Sequence, residues 1–66
     1  MGNKFIRIGN FIFNIDDISC VYIDDEEDVY YINISLRRDE TRYIRYEYQS
    51  DRDEDFERID RILEAR

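Results

Sequence analysis

Residues 29–48 read VYYINISLRRDETRYIRYEY, and the pattern of this stretch decides the fold class. Side chains on a β-strand alternate between its two faces. Every second residue from 30 to 36 is large and apolar or aromatic, and the same alternation returns with Ile44, Tyr46 and Tyr48. Two such runs separated by a short polar stretch predict two antiparallel strands, at about residues 29–37 and 41–48.

The length of the loop between these strands determines which residues face each other. A two-residue loop at Asp39 and Glu40 would place Ile34 opposite Arg45 and mix the apolar and polar faces. Because a one-residue change of register sends every buried side chain to the other face, we predict a three-residue loop at residues 38–40. The pairs predicted on the apolar face are Ile34–Ile44, Ile32–Tyr46 and Tyr30–Tyr48.

The other face of this hairpin is polar and carries two tyrosines. Its predicted pairs are Tyr31–Glu47, Asn33–Arg45, Ser35–Tyr43 and Arg37–Thr41. Tyrosine and arginine are enriched at protein–protein interfaces, although a face that is only solvated has the same composition. The candidate protein-contact residues are Tyr31, Asn33, Arg37, Tyr43 and Arg45.

The N-terminal third of the chain predicts three more strands. Gly9 and Asn10 separate two apolar runs and give a two-residue hairpin signal, which joins strands at about residues 4–8 and 11–14. A turn rich in asparagine and aspartate follows, then a strand at about residues 19–23 and an exposed acidic loop at residues 24–28. The hairpin loop predicts the pairs Ile8–Phe11 and Ile6–Phe13 on one face.

The C-terminal third predicts one helix, at about residues 51–65, with Ser50 and Asp51 as candidate N-caps. We therefore predict a single α+β domain over residues 1–66. It consists of a twisted antiparallel sheet of four to five strands with this helix packed on its inner face, and closure of the sheet into a barrel stays open. The apolar stripe of the helix consists of Phe56, Ile59, Ile62 and Leu63.

Composition excludes most enzyme chemistries. The chain has 66 residues, no histidine and one cysteine, so it has no histidine-activated nucleophile and no internal disulfide. Two glycines are too few for a phosphate-binding loop. The acidic runs at residues 24–28 and 51–55 lack the glycine and glutamate that an EF-hand loop needs. We predict no enzyme activity, no catalytic residues, no cofactor and no metal site.

The net charge of −7 disfavours nucleic acids and acidic membranes as partners. No apolar run approaches the ~20 residues that cross a bilayer, and the N-terminus lacks a signal-peptide pattern. We expect no membrane association and a cytoplasmic location.

The stretch IRIGNFIFNIDDISCVYI at residues 6–23 resembles the FlbD-like proteins, small bacterial proteins associated with flagella and swarming motility. Asn14, Asp16 and Ile18 carry the overlap, and Gly9-Asn10 stands in place of that family's Asn-Gly turn. The resemblance implies a short hairpin, a turn, a strand, a second hairpin and a C-terminal helix. Since these are turn and core residues, it implies a fold and no specific function.

The function we predict is a non-enzymatic protein-interaction or regulatory module whose protein partner is a second copy of itself, the preferred case, or another protein. So small a core supplies only about 3–5 kcal/mol of net stability, and a sheet with open edges gains from pairing with a second copy. Two alternatives stay open. One is direct nucleic-acid binding through the Arg/Tyr hairpin at residues 29–48. The other is an acidic nucleic-acid mimic, with a patch made of Asp24, Asp25, Glu26, Glu27 and Asp28.

Overall fold

The computed structural model describes residues 4–66. It has five strands, a short 3₁₀ turn at Ile15–Asp17 and one helix. The predicted α+β class is therefore confirmed. The elements in chain order are β1 (Phe5–Ile8), β2 (Phe11–Asn14), β3 (Ile18–Glu26), β4 (Val29–Leu36), β5 (Thr41–Tyr46) and α1 (Gln49–Ala65).

The strands form two antiparallel sheets, so the prediction of one sheet of four to five strands is only partly matched. β1 and β2 form a hairpin, and β3, β4 and β5 form a separate antiparallel sheet in that order. The 3₁₀ turn separates them. The Asn14 side chain accepts a hydrogen bond from Asp16 N–H at 3.0 Å, and Ile15 N–H donates to Lys4 O at 3.0 Å. The bond from Ile15 N–H continues the β1–β2 pairing by one position, and the bond to the Asn14 side chain forms the turn that precedes β3.

The β1–β2 hairpin has the predicted register, with Ile6 opposite Phe13 and Ile8 opposite Phe11. Gly9 adopts φ +61, a left-handed conformation that most residues avoid. The hairpin turn also lies close to β5, because a Cβ on Gly9 would stand 3.4 Å from Ile44 Cγ2. The hairpin thus packs its buried face against the larger sheet.

The β4–β5 register differs from the prediction by two residues. Ile32 lies opposite Ile44, Tyr30 opposite Tyr46 and Ile34 opposite Arg42. The connection at residues 37–40 is one residue longer than predicted. Asp39 takes φ 60 in it, and Leu36 N–H donates to Glu40 O at 2.7 Å. Aspartate enters the left-handed region more readily than most residues, so the longer turn forms without glycine.

The third strand is longer than predicted, and this corrects the predicted acidic loop. β3 continues to Glu26, which pairs with Val29, so only Glu27 and Asp28 form the turn. Glu27 adopts φ 49 there. Strand propensity depends strongly on context. Pairing with the whole length of β4 holds these acidic residues in an extended conformation.

The core lies between the inner face of the three-stranded sheet, the β1–β2 hairpin and α1, as predicted for the helix. Phe56, Ile62 and Leu63 pack against the buried cluster. The fully or nearly fully buried apolar residues are Ile6, Ile8, Phe13, Ile15, Ile18, Ile32, Ile34, Ile44 and Ile59.

The helix begins earlier than predicted. Tyr48 is its N-cap, with φ −120 and ψ 133, and its side chain makes no capping hydrogen bond. The predicted caps Ser50 and Asp51 instead lie inside the first turn. The reason is geometric, since β5 ends at Tyr46 and only two residues connect it to α1.

Arginines fasten the helix to the N-terminal half. Arg66 Nη1 donates to Ile15 O at 2.9 Å and to Ile18 O at 2.6 Å. Arg58 Nη2 donates to Arg7 O at 3.0 Å. These bonds satisfy carbonyl groups at the 3₁₀ turn and on β1, and they hold α1 across the core.

Candidate functional site

The face of the three-stranded sheet that points away from the core carries the candidate site, and we refer to it as the outer face. Neighbouring residues on β3, β4 and β5 form three rows across it. The buried residues Ile32 and Ile34 of β4 point to the opposite, inner face. The rows are Asp24–Tyr31–Arg45, Tyr22–Asn33–Tyr43 and Cys20–Ser35–Thr41.

Two tyrosines dominate the outer face. Tyr22 and Tyr43 are 47% and 61% exposed, and Asn33 between them is only 2% exposed. Among residues 4–66, no hydrogen-bond donor reaches the buried Asn33 Oδ1. A buried amide oxygen without a donor costs about 1–3 kcal/mol. The outer face thus combines exposed aromatic area with one unsatisfied polar group.

A depression of about 300 Å³ lies on this face, lined by Asp24, Glu26, Tyr31 and Tyr43. Two carboxylates and two phenol rings together favour a cation, because carboxylates attract positive charge and ring faces bind it by the cation–π interaction. Arg45 carries the opposite charge on the same face, at the β5 edge. The outer face therefore carries acidic residues on β3 and one basic residue, Arg45, on β5.

The structure brings four of the five candidate contact residues together. Tyr31, Tyr43 and Arg45 reach the surface of the outer face, and Asn33 lies beneath it. Arg37 does not lie there, because it is part of the loop after β4, where its N–H donates to Asp17 O at 2.9 Å.

The pairing of these residues also differs from the prediction. Tyr31 lies opposite Arg45 rather than Glu47, and Asn33 lies opposite Tyr43 rather than Arg45. Ser35 lies opposite Thr41 rather than Tyr43. Each change follows from the two-residue shift of the β4–β5 register.

Sequence reasoning missed Tyr22 and Asp24 as members of this face. The signal is the alternation of side chains along β3, which places Val21 and Ile23 on the inner face and Tyr22 and Asp24 on the outer face. Asp24 lies in the loop that the sequence predicts at residues 24–28, whereas Tyr22 lies in the predicted strand 19–23, whose partner strand the sequence does not show. Pairing of Tyr22 with Asn33 and of Asp24 with Tyr31 places them beside the predicted residues.

The five acidic residues proposed as a mimic patch do not share one surface. Asp24 lies on the outer face. Asp25 points to the inner face, where it accepts a hydrogen bond from Arg52 Nη1. Glu27 and Asp28 form the turn. Strand alternation thus divides this run of like charge between two sides of the sheet.

Arg52 is the buried centre of a charged cluster on the inner side. It is 2% exposed, its Nε donates to Asp53 Oδ1 at 2.8 Å, and its guanidinium lies 5.4 Å from the centre of the Tyr30 ring. The hydrogen bond to Asp25 raises the pKa of Arg52 against the opposing effect of burial. This cluster has a structural role, since it satisfies a charge inside the fold.

Tyr46 makes a second polar contact between the inner face and the helix. Its hydroxyl donates to Asp55 Oδ2 at 2.6 Å. Burial, and then this hydrogen bond, raise the pKa of Tyr46 above its ordinary value. The neutral phenol is therefore the form that the fold requires.

An exposed apolar pair on the β1–β2 hairpin was also missed. Phe5 and Ile12 are both exposed, and the pairing of β1 with β2 places them on the side opposite Ile6 and Ile8. The signal is present in the sequence, because Phe5 precedes the predicted inward residue Ile6, Ile12 lies between Phe11 and Phe13, and both are apolar.

Comparison of the chain with protein-family models, curated proteins and solved structures finds no match. The resemblance to FlbD-like proteins stays a prediction. Within residues 4–66, α1 is too short and too polar to cross a bilayer. The same part of the chain contains no cluster of three or more histidine, cysteine, aspartate or glutamate residues arranged to hold a metal ion.

Proposed function

We propose that this chain is a non-enzymatic protein-interaction module that associates with itself through the outer face of the three-stranded sheet. The observation that carries the proposal is the row Tyr22–Asn33–Tyr43, in which two exposed rings flank a buried amide oxygen that receives no hydrogen bond from residues 4–66. Exposed aromatic side chains grouped on one face are typical of contact surfaces. A partner would cover the rings.

The size of the fold supports association. A domain of about 60 residues buries only about 60% of the surface that its unfolded chain exposes, so its stability is marginal. Binding of a second copy to the folded state adds stability by mass action. The core within residues 4–66 holds nine buried apolar residues and contributes little net stability. Association with a second copy thus adds to the free energy of unfolding.

The two nucleic-acid alternatives have less support. Asp25 is bound to Arg52, so residues 24–28 do not offer one continuous acidic surface. Among the arginines of the β4–β5 hairpin, Arg38 pairs with Asp17 at 3.1 Å and Arg42 with Glu40 at 2.9 Å. Their charges are partly neutralised within the chain.

The test of the proposal is the solution mass measured by light scattering over a range of protein concentrations. We expect a monomer–dimer equilibrium that Tyr43→Ala shifts towards monomer. Tyr48→Ala is the matched control, because Tyr48 is similarly exposed but caps the helix and lies off the outer face. A wild-type chain that stays monomeric at every concentration, or equal effects of the two variants, would contradict the proposal.

A further inference from the structure

We propose that two copies of this chain stack outer face to outer face about a two-fold axis parallel to β4, with Arg45 of each copy in the depression beside Asp24 of the other. This inference rests on the proposed self-association and specifies its geometry. The first argument is the order of charges in the row Asp24–Tyr31–Arg45, which reads acid, ring, base from β3 to β5.

Rotation about such an axis makes this row complementary to itself. An axis that runs along β4 between the stacked sheets exchanges their β3 and β5 edges and keeps the height of each row. Asp24 of one copy then meets Arg45 of the second copy, and the same contact repeats on the other side of the axis. This reciprocity is what a closed dimer requires.

The depression provides the shape for this contact. It measures about 300 Å³ and is lined by Asp24, Glu26, Tyr31 and Tyr43. A guanidinium suits it well, since its planar fork binds carboxylates and its face stacks on aromatic rings. Arg45 is exposed and makes no ion pair with another residue of the described chain. It is therefore free to enter the second copy.

The second row follows the same symmetry. The rotation places Tyr22 against Tyr43 of the second copy, and aromatic pairs of this kind prefer offset or edge-to-face contact. It also places Asn33 opposite its own counterpart. A carboxamide carries an N–H donor as well as a carbonyl acceptor. If the rings of Tyr22 and Tyr43 part on docking, each Asn33 supplies the donor that the other Oδ1 lacks.

The competing face-to-face arrangement is electrostatically unfavourable. A two-fold axis perpendicular to the strands would stack β3 on β3 and β5 on β5. Where that axis crosses the row Asp24–Tyr31–Arg45, Asp24 would face Asp24 of the second copy and Arg45 would face Arg45. With a net charge of −7 on each chain, acid-on-acid contact adds to a repulsion that already opposes association. The axis parallel to β4 is the one that brings opposite charges together.

Charge reversal tests the pairing directly. Asp24→Arg alone places arginine against arginine in the homodimer, and Arg45→Asp alone places aspartate against aspartate. Each single variant should raise the dimer Kd at least about tenfold, because like charges at close range are strongly disfavoured. An equimolar mixture of the two variants recreates both opposite-charge contacts, so it should form a heterodimer with a Kd within about threefold of wild type.

Two controls isolate position from net charge. Glu64→Arg and Arg61→Asp make the same charge changes at exposed sites on α1, across the core from the outer face, and they should leave the dimer Kd unchanged. Urea unfolding of every variant at low concentration checks that the monomer still folds. The masses and Kd values come from sedimentation velocity over a dilution series.

The outcomes separate this inference from the proposed function. A monomeric wild-type chain overturns both. If wild type dimerises but neither reversal weakens it, self-association stands and the outer-face pairing is wrong, which directs attention to Phe5 and Ile12. If both reversals weaken the dimer and mixing restores nothing, the contact between Asp24 and Arg45 is wrong. Restoration on mixing supports the two-fold arrangement.

Discussion

Removal of Asp25 is expected to destabilise the fold more than removal of Arg52, although both changes break the same ion pair. The two partners differ in burial. Arg52 is 2% exposed, whereas the side chains of Asp25 and Asp53 are 44% and 47% exposed. The cost of breaking the pair depends on which charge is left without a partner, and only the arginine would be left away from water.

The magnitudes follow from what each variant leaves behind. Removing one partner of a buried pair costs about 3–5 kcal/mol. Asp25→Ala leaves Arg52 with Asp53 and the Tyr30 ring, so we expect about 2 kcal/mol, near the value of one charged hydrogen bond. Arg52→Met keeps most of the side-chain volume and leaves two carboxylates that water can solvate. We expect a loss of about 1 kcal/mol or less, because no buried charge is left without a partner: the remaining carboxylates are about half exposed.

The assay is urea unfolding and thermal unfolding, each followed by far-ultraviolet circular dichroism at concentrations where the chain is monomeric. For a chain of this size, 1 kcal/mol corresponds to about 4–8 °C in Tm. Asp25→Ala should therefore lower Tm by about 8–16 °C. The control is Asp24→Ala, which removes the neighbouring carboxylate from the outer face and should change the free energy of unfolding by less than about 0.5 kcal/mol. A larger loss from Arg52→Met than from Asp25→Ala would refute this reasoning.

Two further predictions concern Tyr46 and Tyr48. Because burial and Asp55 raise the pKa of Tyr46 in the folded state, the unfolded chain releases that proton first, and stability falls as pH rises above about 10. Tyr46→Phe should flatten this loss above about pH 10, measured as the urea midpoint at each pH. An unchanged slope would contradict the assignment. Tyr48→Ser supplies the missing N-cap acceptor at an exposed site whose backbone is already extended. It should raise the free energy of unfolding by about 1 kcal/mol, and a loss of stability would count against the cap.

The faces of the strands could be predicted from the sequence, but the β4–β5 register could not. Alternation placed Ile32, Ile34 and Ile44 on the buried side, and all three are buried. A shift of two residues leaves every side chain on its face and changes only its cross-strand partner. The hydrophobic pattern therefore cannot distinguish these registers. The left-handed Asp39 and the bond from Leu36 N–H to Glu40 O make the choice.

For the candidate site too, the sequence predicts which face a side chain occupies but not which residues of the neighbouring strands lie beside it. Alternation alone grouped Tyr31, Tyr43 and Arg45, whereas Tyr22 and Asp24 join them only through the pairing of β3 with β4. The pairing could not be inferred because aspartate and glutamate are poor strand formers. The sequence alone also does not show how many residues of β3 are held in strand conformation by pairing with β4.

The burial of Arg52 is indicated by its position in the sequence of α1. Residues 52, 56, 59 and 63 recur at helical spacing, so Arg52 lies in line with the apolar stripe of α1. A charged residue on such a stripe requires a partner from the facing element. That partner is Asp25, which was assigned to a loop and not to the inward side of a strand. The predicted loop at residues 24–28 therefore hides only Asp25, whereas helical spacing alone places Arg52 on the stripe.

The acidic run shows why charge must be assigned by face and not by segment. As a block, residues 24–28 suggest one electrostatic surface, yet Asp24 and Asp25 point to opposite sides of the sheet. Asp25 neutralises an arginine inside the fold, and Asp24 lines a depression that suits an arginine from outside. Adjacent residues of the same type should therefore give opposite results. Asp24→Arg should weaken association and leave the monomer stable, whereas Asp25→Ala should destabilise the monomer and leave the contact surface unchanged.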